Sequence, residues 1–385
     1  MDDLLCFDDL LKDEERLIRD EVQRFVDSDV IPLMTDAFEQ GVFPKVLIKK
    51  VAQLGLLGLT LPAEYGGAGA SYVAYGLVCE ALERGDSGLR SFVSVQNSLC
   101  IFPIYHYGTE EQKNRWLKRM AHGDILGCFG LTEPDSGSDP ASMRTFAKKV
   151  PGGYCLNGSK LWITNATISD IAIVWAMTDR GVRGFIVEKE FKGFKRDEIK
   201  HKMSLRASVT GALFFEDVFV PDENYLPGTE RGLSTALHCL NQARYGIAWG
   251  VMGAAMACFD VTRAYLKERK QFDKPLASFQ LIQKDLAMMY TEIVKAQGMN
   301  LRIGRLKEEG RETPAMISLA KGNACREALK IARACRNLLG ANGISLEYHV
   351  IRHMLNLESV FTYEGTDNIH TLVLGRYITG INAFD

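Results

Sequence analysis

The residues from Phe129 to Asp139 have the composition of a ligand-binding loop. An apolar run from Ile125 to Phe129, which predicts a strand, passes directly into a segment rich in Gly, Ser, Thr, Asp and Pro. Such residues form irregular backbone whose N–H groups and hydroxyls can bind a ligand instead of a neighbouring strand. Pro134 fixes one φ angle, and Gly137 permits a ligand to approach closely. An ordinary surface loop is the alternative interpretation.

Two other patterns approach the spacing of known sites but depart from them. The glycines from Gly153 to Gly158 suit a phosphate-binding loop, but Ser159-Lys160 reverses the order Lys-Ser/Thr that such a loop requires. Asn157-Gly158, between two alternating runs, instead predicts a β-hairpin turn. His349 and His353 are four residues apart, as metal ligands on one helix would be, but no third ligand is evident and we expect no metal site.

Composition argues against several classes of protein. The chain has 385 residues, a formal net charge of -2 and 46% hydrophobic residues, which disfavours nucleic-acid binding. The sequence shows no uninterrupted apolar run of the roughly 20 residues that span a bilayer. The N-terminus lacks the features of a secretion signal or organelle presequence, so we expect a bacterial cytoplasmic protein, or a mitochondrial-matrix protein only if a presequence has been removed. Nine scattered cysteines without a Cys-x-x-Cys pair indicate free intracellular thiols.

The elements that must position these residues fall into three regions. Apolar residues at three- and four-residue spacing predict helices from Leu11 to about Arg119, with Pro32 helping to end the first helix. Thr109 and Gln112 predict a capping box at the start of a later helix. Short β-type runs between Ile125 and about Pro227 predict a compact barrel or sandwich.

Long helical runs return from about Leu233 and predict four-helix packing. These runs are Leu233–Arg269, Ser278–Glu309, Pro314–Leu339, Leu346–Val360 and Asn368–Ala383. The predicted fold class is therefore α+β and multi-domain. We expect an N-terminal helical domain over residues 1–124, a middle β-domain over 125–230 and a C-terminal four-helix bundle over 231–385.

Five separated motifs connect these regions to one family. They are Phe129 to Asp139, Leu161 to Asn165, Lys202 to Ser208 with Phe215 to Pro221, Arg269 to Phe272, and Tyr363 to Thr366. In this order they resemble the acyl-CoA dehydrogenase family over essentially the whole chain. The reaction of that family removes a proton beside a thioester carbonyl and passes hydride from the next carbon to a flavin.

The resemblance implies that Glu364 is the catalytic base. A carboxylate can act as a base when desolvation brings its pKa closer to the working pH. Outside this motif, Glu364 could instead be a helix-start carboxylate stabilised by the helix dipole. Some relatives carry the base on an earlier helix, at the position of Ala243, which cannot accept a proton. By resemblance, the backbone N–H of Glu364 and a flavin hydroxyl bind the thioester oxygen.

The resemblance also implies that FAD is the cofactor. Residues that match contacts around the flavin and its attached chain are Phe129, Leu131, Thr132, Gly137, Ser138, Trp162, Ile163, Thr164, Thr366, Asp367, Asn368 and Phe384. Residues that match FAD contacts made across a subunit boundary are Arg269, Phe272, Gln280, Asn337, Leu338, Leu339, Gly340 and Ala341. Without its motif, Trp162 could be an ordinary β-core residue. The chain departs from the usual family pattern at Gly340-Ala341 and at Asp367-Asn368.

A finer resemblance indicates a dicarboxylic substrate. The segments Asp86 to Gln96, Leu126 to Cys128, Asn241 to Gly250 and Glu347 to His353 resemble the glutaryl-CoA dehydrogenases within the family. Glu83 and Tyr363 match the decarboxylating form of those enzymes. The arginine that matches Arg90 pairs there with the distal carboxylate of the substrate, whereas an exposed loop arginine is the alternative. The implied substrate-binding residues are Glu83, Arg90, Ser91, Ser138, Leu237, Asn241, Arg244, Tyr363 and Gly365.

The resemblance thus implies FAD-dependent α,β-dehydrogenation of glutaryl-CoA with decarboxylation to crotonyl-CoA and CO2. The implied partners are an acyl-CoA substrate, electron-transfer flavoprotein as the electron acceptor, and three further copies of the chain in a homotetramer. A short-chain acyl-CoA dehydrogenase is one alternative. A flavin- or CoA-binding member that has lost catalysis is the other.

Overall fold

The N-terminal region of the protein is helical. The structure is a computed structural model that describes residues 3–384. The helices are α1 (Asp13–Phe25), α2 (Ile31–Gln40), α3 (Val46–Gln53), α4 (Tyr72–Gly85), α5 (Ser87–Ser94), α6 (Phe102–Tyr107) and α7 (Glu110–Ala121). The predicted capping box is confirmed at α7, because the Gln112 N–H donates to the Thr109 hydroxyl and the Thr109 N–H donates to the Gln112 side chain.

The prediction that Pro32 helps to end the first helix is wrong. A wide π-type turn over Val26–Val30 joins α1 to α2, and Pro32 lies in the first turn of α2. The wide turn just before Pro32 accommodates a residue that has no N–H to donate, so the helical run continues past it. The helical run ends at Gly41, whose φ of 70° is the left-handed conformation of a helix C-cap.

The middle region forms one curled sheet of seven strands. The strands are β1 (Gly127–Gly130), β2 (Phe146–Val150), β3 (Gly153–Thr164), β4 (Ile171–Thr178), β5 (Gly181–Glu188), β6 (Phe194–Glu198) and β7 (Thr210–Pro221). The strand order is β1-β4-β2-β3-β7-β6, and β5 pairs with β4. Strand β1 runs parallel to β4 and ends at Gly130, where the candidate binding loop begins.

The hairpin predicted at Asn157-Gly158 is wrong. Both residues lie inside β3, where the register against β7 shifts between Leu156 and Gly158. Gly158 has a φ of 139°, and a Cβ there would lie 2.5 Å from the Thr145 hydroxyl. The glycine therefore marks a bulge and a close approach of backbone, which also favour glycine within a strand. The turn that joins β2 to β3 contains Gly152, with a φ of 77°.

The C-terminal region is helical again. After α8 (Leu233–Glu268) come the short strands β8 (Lys270–Gln271) and β9 (Lys274–Pro275), then α9 (Gln280–Glu308), α10 (Pro314–Leu338), α11 (Val350–Thr362) and α12 (Asp367–Thr379). Two predicted helices are shorter than expected. Helix α11 begins only after His349, which has a φ of 60°, and α12 ends at Gly380, which has a φ of 72°.

Helix α8 forms the centre of the packing between the two helical regions. By length and composition it could cross a bilayer, but 78% of its most apolar window is buried inside the protein, as in a core helix. Helices α4 and α10 pack directly against it. A Cβ at Gly76 in α4 would lie 2.5 Å from the Trp249 ring of α8, so glycine sets this close approach. The same packing brings residues of α5, α8 and α10 into contact with the turn between α11 and α12.

Candidate active site

Glu364 lies in the four-residue turn between α11 and α12. Its φ is 55° and that of Gly365 is 90°, so two consecutive residues are left-handed. A side chain at Gly365 would place its Cβ 2.9 Å from Nε2 of His370. The alternative that Glu364 is a helix-start carboxylate stabilised by the dipole is not supported, because Thr366 caps α12 and Asp367 is the acidic residue of its first turn.

The carboxyl group of Glu364 is buried and incompletely hydrogen-bonded. Within residues 3–384, no group donates to its Oε2. Burial raises the pKa of Glu364, while the positive charges of Arg244, Lys321 and Arg90 oppose that rise. A buried carboxyl with a raised pKa and a free oxygen has the properties of a general base that waits for its substrate.

Helix α8 supplies one cation to this turn. Leu237, Asn241 and Arg244 follow each other at helical spacing and are half-buried on one face of α8. The guanidinium of Arg244 donates from Nε to the Glu364 carbonyl at 2.7 Å and from Nη1 to the Asn241 side chain at 3.0 Å. Three of the predicted substrate-binding residues therefore share one surface, and one of them contacts the candidate base directly.

Arg90 lies beside the same turn, in α5. It is only 1% exposed, so the alternative of an exposed loop arginine is wrong. Its Nε donates to Glu83 at 2.5 Å, and its Nη2 donates to the Tyr363 hydroxyl, which lies 3.1 Å from the Ser91 hydroxyl. The second oxygen of Glu83 is buried and, in the part of the chain that the structure describes, has no donor. This arrangement of Glu83, Arg90, Ser91 and Tyr363 is called the distal cluster below.

The distal cluster keeps its guanidinium charged. Burial disfavours that charge, but Glu83 and Tyr363 hold the pKa of Arg90 well above its usual value. Burial also raises the pKa of Tyr363 to about 12, so its phenol is a neutral hydrogen-bonding group near pH 7. A desolvated, permanently charged arginine with adjacent hydroxyls is well suited to bind a carboxylate.

The candidate binding loop after β1 is fixed from the inside. The buried ammonium of Lys160 donates to the Leu131 carbonyl at 3.0 Å and to Glu133 at 2.8 Å, and the Leu161 N–H donates to the Thr132 carbonyl at 2.9 Å. Because the ladder with β4 ends at Gly130, the N–H groups of Leu131 and Thr132 are not part of it. Gly137 and Ser138 are exposed further along the loop.

Trp162 and Ile163 are neighbours in β3 but differ in solvent exposure. Trp162 has a φ of 61° and is 59% exposed, so the alternative of an ordinary core tryptophan is wrong. Ile163 is a core side chain and can offer a ligand only its backbone. An exposed indole beside Thr164 and the end of β1 fits a flat aromatic ring, and hydroxyl and backbone groups on both segments fit its polar edge.

The remaining predicted cofactor residues belong to the C-terminal region. Phe272 has a φ of 54° and is 87% exposed, and Phe384 is half exposed. Leu339 is buried, whereas a Cβ at Gly340 would meet nothing within 4 Å in the single chain. The carboxylate of Asp367 pairs with Arg326 at 2.7 Å, at the start of α12.

Sequence reasoning missed several residues that organise this site. Lys160 and Glu133 support the binding loop, and Lys321 in α10 donates to carbonyls of the Glu364 turn. The imidazole of His370 is buried beside the Glu364 turn, and burial lowers its pKa to about 3. A lysine in a helical pattern has no local signal that distinguishes a buried donor from a solvated side chain.

Models of three domains of one protein family match most of the chain. Residues 12–124 match the acyl-CoA dehydrogenase N-terminal domain, residues 128–218 the middle domain, and residues 230–379 the C-terminal domain. A glutaryl-CoA dehydrogenase from Mycobacterium smegmatis is 49% identical and superposes with a TM-score of 0.98, covering 100% of this chain and 99% of that one. A structure of a glutaryl-CoA dehydrogenase from Mycobacterium smegmatis in complex with FADH2 is 50% identical, with a TM-score of 0.97 and coverages of 99% and 98%.

Other relatives are less similar. A short-chain-specific acyl-CoA dehydrogenase of Clostridium acetobutylicum is 36% identical over 95% of this chain and 98% of its own length. A chain in a solved structure of the electron transferring flavoprotein of Acidaminococcus fermentans is 34% identical, with a TM-score of 0.93 and coverages of 96% and 98%. The residues at the end of β1 and in β3 fit a flavin, and FAD is the cofactor. From its three domain matches, the chain belongs to the acyl-CoA dehydrogenase family.

Proposed function

We propose that this protein oxidises glutaryl-CoA to crotonyl-CoA and CO2. The observation that carries the proposal is the distal cluster, in which a buried Arg90 contacts Tyr363, the residue next to Glu364. One turn of chain thus connects a carboxylate-binding group with a candidate base. The glutaryl-CoA dehydrogenase of Mycobacterium smegmatis, similar over the whole chain, supports the same substrate.

Glu364 removes the proton next to the thioester carbonyl. Its unpaired Oε2 is the acceptor, and Arg244 fixes the backbone of the same residue. Bound FAD would supply the acceptor for the hydride that leaves the β-carbon. The backbone N–H of Glu364 is the proposed donor to the thioester oxygen, where negative charge develops as the proton leaves.

The distal cluster binds the far carboxylate. Arg90 and the hydroxyls of Ser91 and Tyr363 supply donors, while Glu83 holds the guanidinium from the other side. After oxidation, the distal carboxylate lies beyond the carbon adjacent to the new double bond. Cleavage of the bond between that carbon and the carboxylate releases CO2. The electron pair of the broken bond is left conjugated to the thioester. Reprotonation at the terminal carbon by the protonated Glu364 gives crotonyl-CoA.

A short-chain acyl-CoA dehydrogenase is the second candidate, supported by the relative from Clostridium acetobutylicum. Its substrates would carry an apolar chain and would leave Arg90 facing no anion. Because Arg90 already pairs with Glu83, its charge would be compensated even with an apolar substrate. The burial of Arg90 therefore does not distinguish the two candidates, and a direct test is needed.

We also propose a homotetramer and electron-transfer flavoprotein as the acceptor. Large apolar side chains on α9, on α12 and just after α12 are exposed in the single chain, which favours contact with further copies. They are Leu281, Met288, Tyr377, Ile378 and Ile381. The acceptor is supported by family resemblance and by the similar chain in the Acidaminococcus fermentans structure.

The test is an anaerobic screen of acyl-CoAs for bleaching of the FAD absorbance, with identification of the products. Glutaryl-CoA should bleach the flavin fastest and yield crotonyl-CoA and CO2 when an electron acceptor is added. Preference of the unaltered enzyme for butyryl-CoA would replace this proposal with the short-chain candidate. No bleaching by any acyl-CoA would instead revive the non-catalytic alternative.

Arg90→Met should impair the reaction with the dicarboxylic substrate selectively. The variant removes the partner of a desolvated carboxylate, and an unpaired buried charge costs on the order of 3–5 kcal/mol. We expect glutaryl-CoA turnover to collapse, whereas butyryl-CoA turnover should stay similar or improve. Rates for both substrates in the same enzyme preparation provide the comparison, and equal losses would show that Arg90 has only a structural role.

A further inference from the structure

Lys321 is a buried cation that the chemistry described above does not use. It lies in α10 with a relative exposure of 0%. Its ammonium donates to the Tyr363 carbonyl at 2.9 Å and to the Gly365 carbonyl at 2.8 Å. In the part of the chain that the structure describes, no carboxylate forms an ion pair with it. A buried ammonium is costly, so its hydrogen bonds to this turn are its main compensation.

We propose that Lys321 is a positioning residue that, together with Arg244, holds the Glu364 turn by binding its three consecutive carbonyls. Lys321 takes the first and the third, and Arg244 takes the second at 2.7 Å. The proposal deepens the proposed function, since it rests on Glu364 being the base. It adds a residue from α10, which contributes no side chain to the distal cluster.

The geometry of the peptide group explains what each cation does. A peptide unit is planar and trans, so its carbonyl and the following N–H point in opposite directions. By binding the Tyr363 carbonyl, Lys321 fixes the plane that carries the Glu364 N–H, and Arg244 fixes the plane on the other side of Glu364. A cation beside the carbonyl oxygen also polarises the peptide unit, which makes the N–H of that same unit a stronger hydrogen-bond donor.

The turn needs this support because its conformation is disfavoured. Glu364 has a φ of 55°, which places a side-chain-bearing residue in the left-handed region, and Gly365 follows at 90°. Such residues persist when surrounding contacts hold them. Without Lys321, the carbonyls of Tyr363 and Gly365 would lose the ammonium that donates to them. We then expect the turn to sample other conformations.

Lys321 also acts on the charge of the site. Burial lowers the pKa of Lys321, and the nearby carboxylates of Glu364 and Asp367 oppose that effect. Burial raises the pKa of Glu364, which Arg244, Lys321 and Arg90 counteract. Cys325 on α10 is a further titratable group beside the ammonium. Removing the Lys321 charge should therefore raise the pKa of Glu364 further and move the acid limb of the pH–rate profile to higher pH.

The test compares Lys321→Met, which loses both donor and charge, with Lys321→Gln, which keeps an amide donor. Lys307→Met is the matched control, because Lys307 is also a buried lysine of the C-terminal region, but it pairs with Glu312 at 3.0 Å. All variants are purified as FAD-loaded enzyme. Flavin reduction by glutaryl-CoA is measured across pH, and hydrogen–deuterium exchange is measured for peptides covering residues 361–368 without substrate.

We expect Lys321→Met to reduce flavin about a hundredfold more slowly, as for a misplaced catalytic group. Its acid limb should lie at higher pH and residues 361–368 should exchange faster, with KM changed less than kcat. Lys321→Gln should show a smaller loss of rate and the same direction of pH change. The Lys307→Met control should match the unaltered enzyme in pH profile and local exchange. If Lys321→Met does not fold, the exchange rate and pH profile of Lys321→Gln test the positioning role.

Normal exchange and an unmoved acid limb in the Lys321 variants would overturn the inference. Equal changes in the Lys307→Met control would do so too, because they would reflect a general loss of stability. The exchange measurement uses no substrate and therefore tests the positioning role even if the proposed substrate is wrong. Failure of the unaltered enzyme to be reduced by glutaryl-CoA would count against the proposed function and not against the hydrogen bonds of Lys321.

Discussion

At the scale of single residues, the properties of Glu364 result from opposing effects. Burial favours its protonated form, while three surrounding cations favour the carboxylate. The balance matters because a general base works best when its pKa lies near the pH at which it operates. A free Oε2 in a cluster otherwise rich in hydrogen bonds leaves the base available to a substrate.

Glu364→Gln should therefore leave FAD bound but slow flavin reduction. Loss of a positioned general base reduces rates by about a hundredfold to ten-thousandfold. Stopped-flow reduction by glutaryl-CoA measures this loss, and the flavin spectrum reports cofactor content. Glu347→Gln, at an exposed position, serves as a control that should behave as the unaltered enzyme. Near-normal reduction in Glu364→Gln would show that the base lies elsewhere.

At the scale of elements, the distal cluster depends on how closely α8 approaches α4 and α5. A Cβ at Gly250 of α8 would lie 2.2 Å from Oε2 of Glu83 and 3.0 Å from Nε of Arg90. Real Cβ atoms do not approach polar atoms this closely, so the helices would separate or the buried ion pair would move. The absence of one side chain on α8 thus permits the contact between Glu83 and Arg90.

Gly250→Ala should impair both stability and use of glutaryl-CoA. Overpacking of a buried contact costs about 1–3 kcal/mol, which thermal unfolding would report. Turnover of glutaryl-CoA should fall more than that of butyryl-CoA because Arg90 is displaced. Gly298→Ala in α9 is the control, since a Cβ there meets nothing within 4 Å. That control should be neutral or stabilise the helix by up to about 1 kcal/mol. Identical effects of both changes would contradict the proposed role of Gly250.

At the scale of the whole molecule, a buried carboxyl affects stability at neutral pH. Glu80 in α4 is contacted only weakly by Gln297, at 3.3 and 3.4 Å, and burial raises its pKa to about 7. A carboxyl whose folded-state pKa is raised destabilises the fold as pH rises, because the unfolded chain ionises first. The loss begins near the usual value of 4.5 and is complete above about pH 7.

Glu80→Gln should raise the melting temperature at pH 8 and change it little at pH 5. The amide keeps the size of the side chain and can still bond Gln297, while it removes the charge that burial disfavours. The gain is on the order of 3 kcal/mol at most, from the pKa difference. Melting curves at the two pH values measure it. An equal shift at both would mean that ionisation of Glu80 is not responsible.

The exposed apolar surface on and just after α12 is a second feature that concerns the whole molecule. Tyr377→Asp combined with Ile381→Asp should weaken association of the proposed tetramer, because each charge would have to be buried at an interface. Sedimentation should give four times 42.9 kDa for the unaltered protein and a smaller species for the variant. FAD content should fall in parallel if the cofactor bridges subunits. A monomeric unaltered protein would refute the proposed assembly.

The amino-acid sequence alone determined the features that local pattern encodes. Apolar periodicity located the long helices α8, α9 and α10 to within two residues, since such helices require a continuous buried stripe. Resemblance in separated motifs identified Glu364 and Arg90 as candidate site residues. The errors at Pro32 and Asn157-Gly158 have one cause: proline and Asn-Gly are compatible with both continuation and reversal of the chain, and only packing selects between them.

Tertiary structure decided whether Arg90 is buried and which partners surround Glu364. Glu83, Arg90 and Tyr363 come from α4, α5 and the turn before α12, and Lys321 comes from α10. The sequence separations among these residues carry no information about distance, because contact between them depends on helix packing around α8. The left-handed turn at Glu364 likewise has no local signal in a glutamate. Its conformation exists because cations from two distant helices bind its carbonyls.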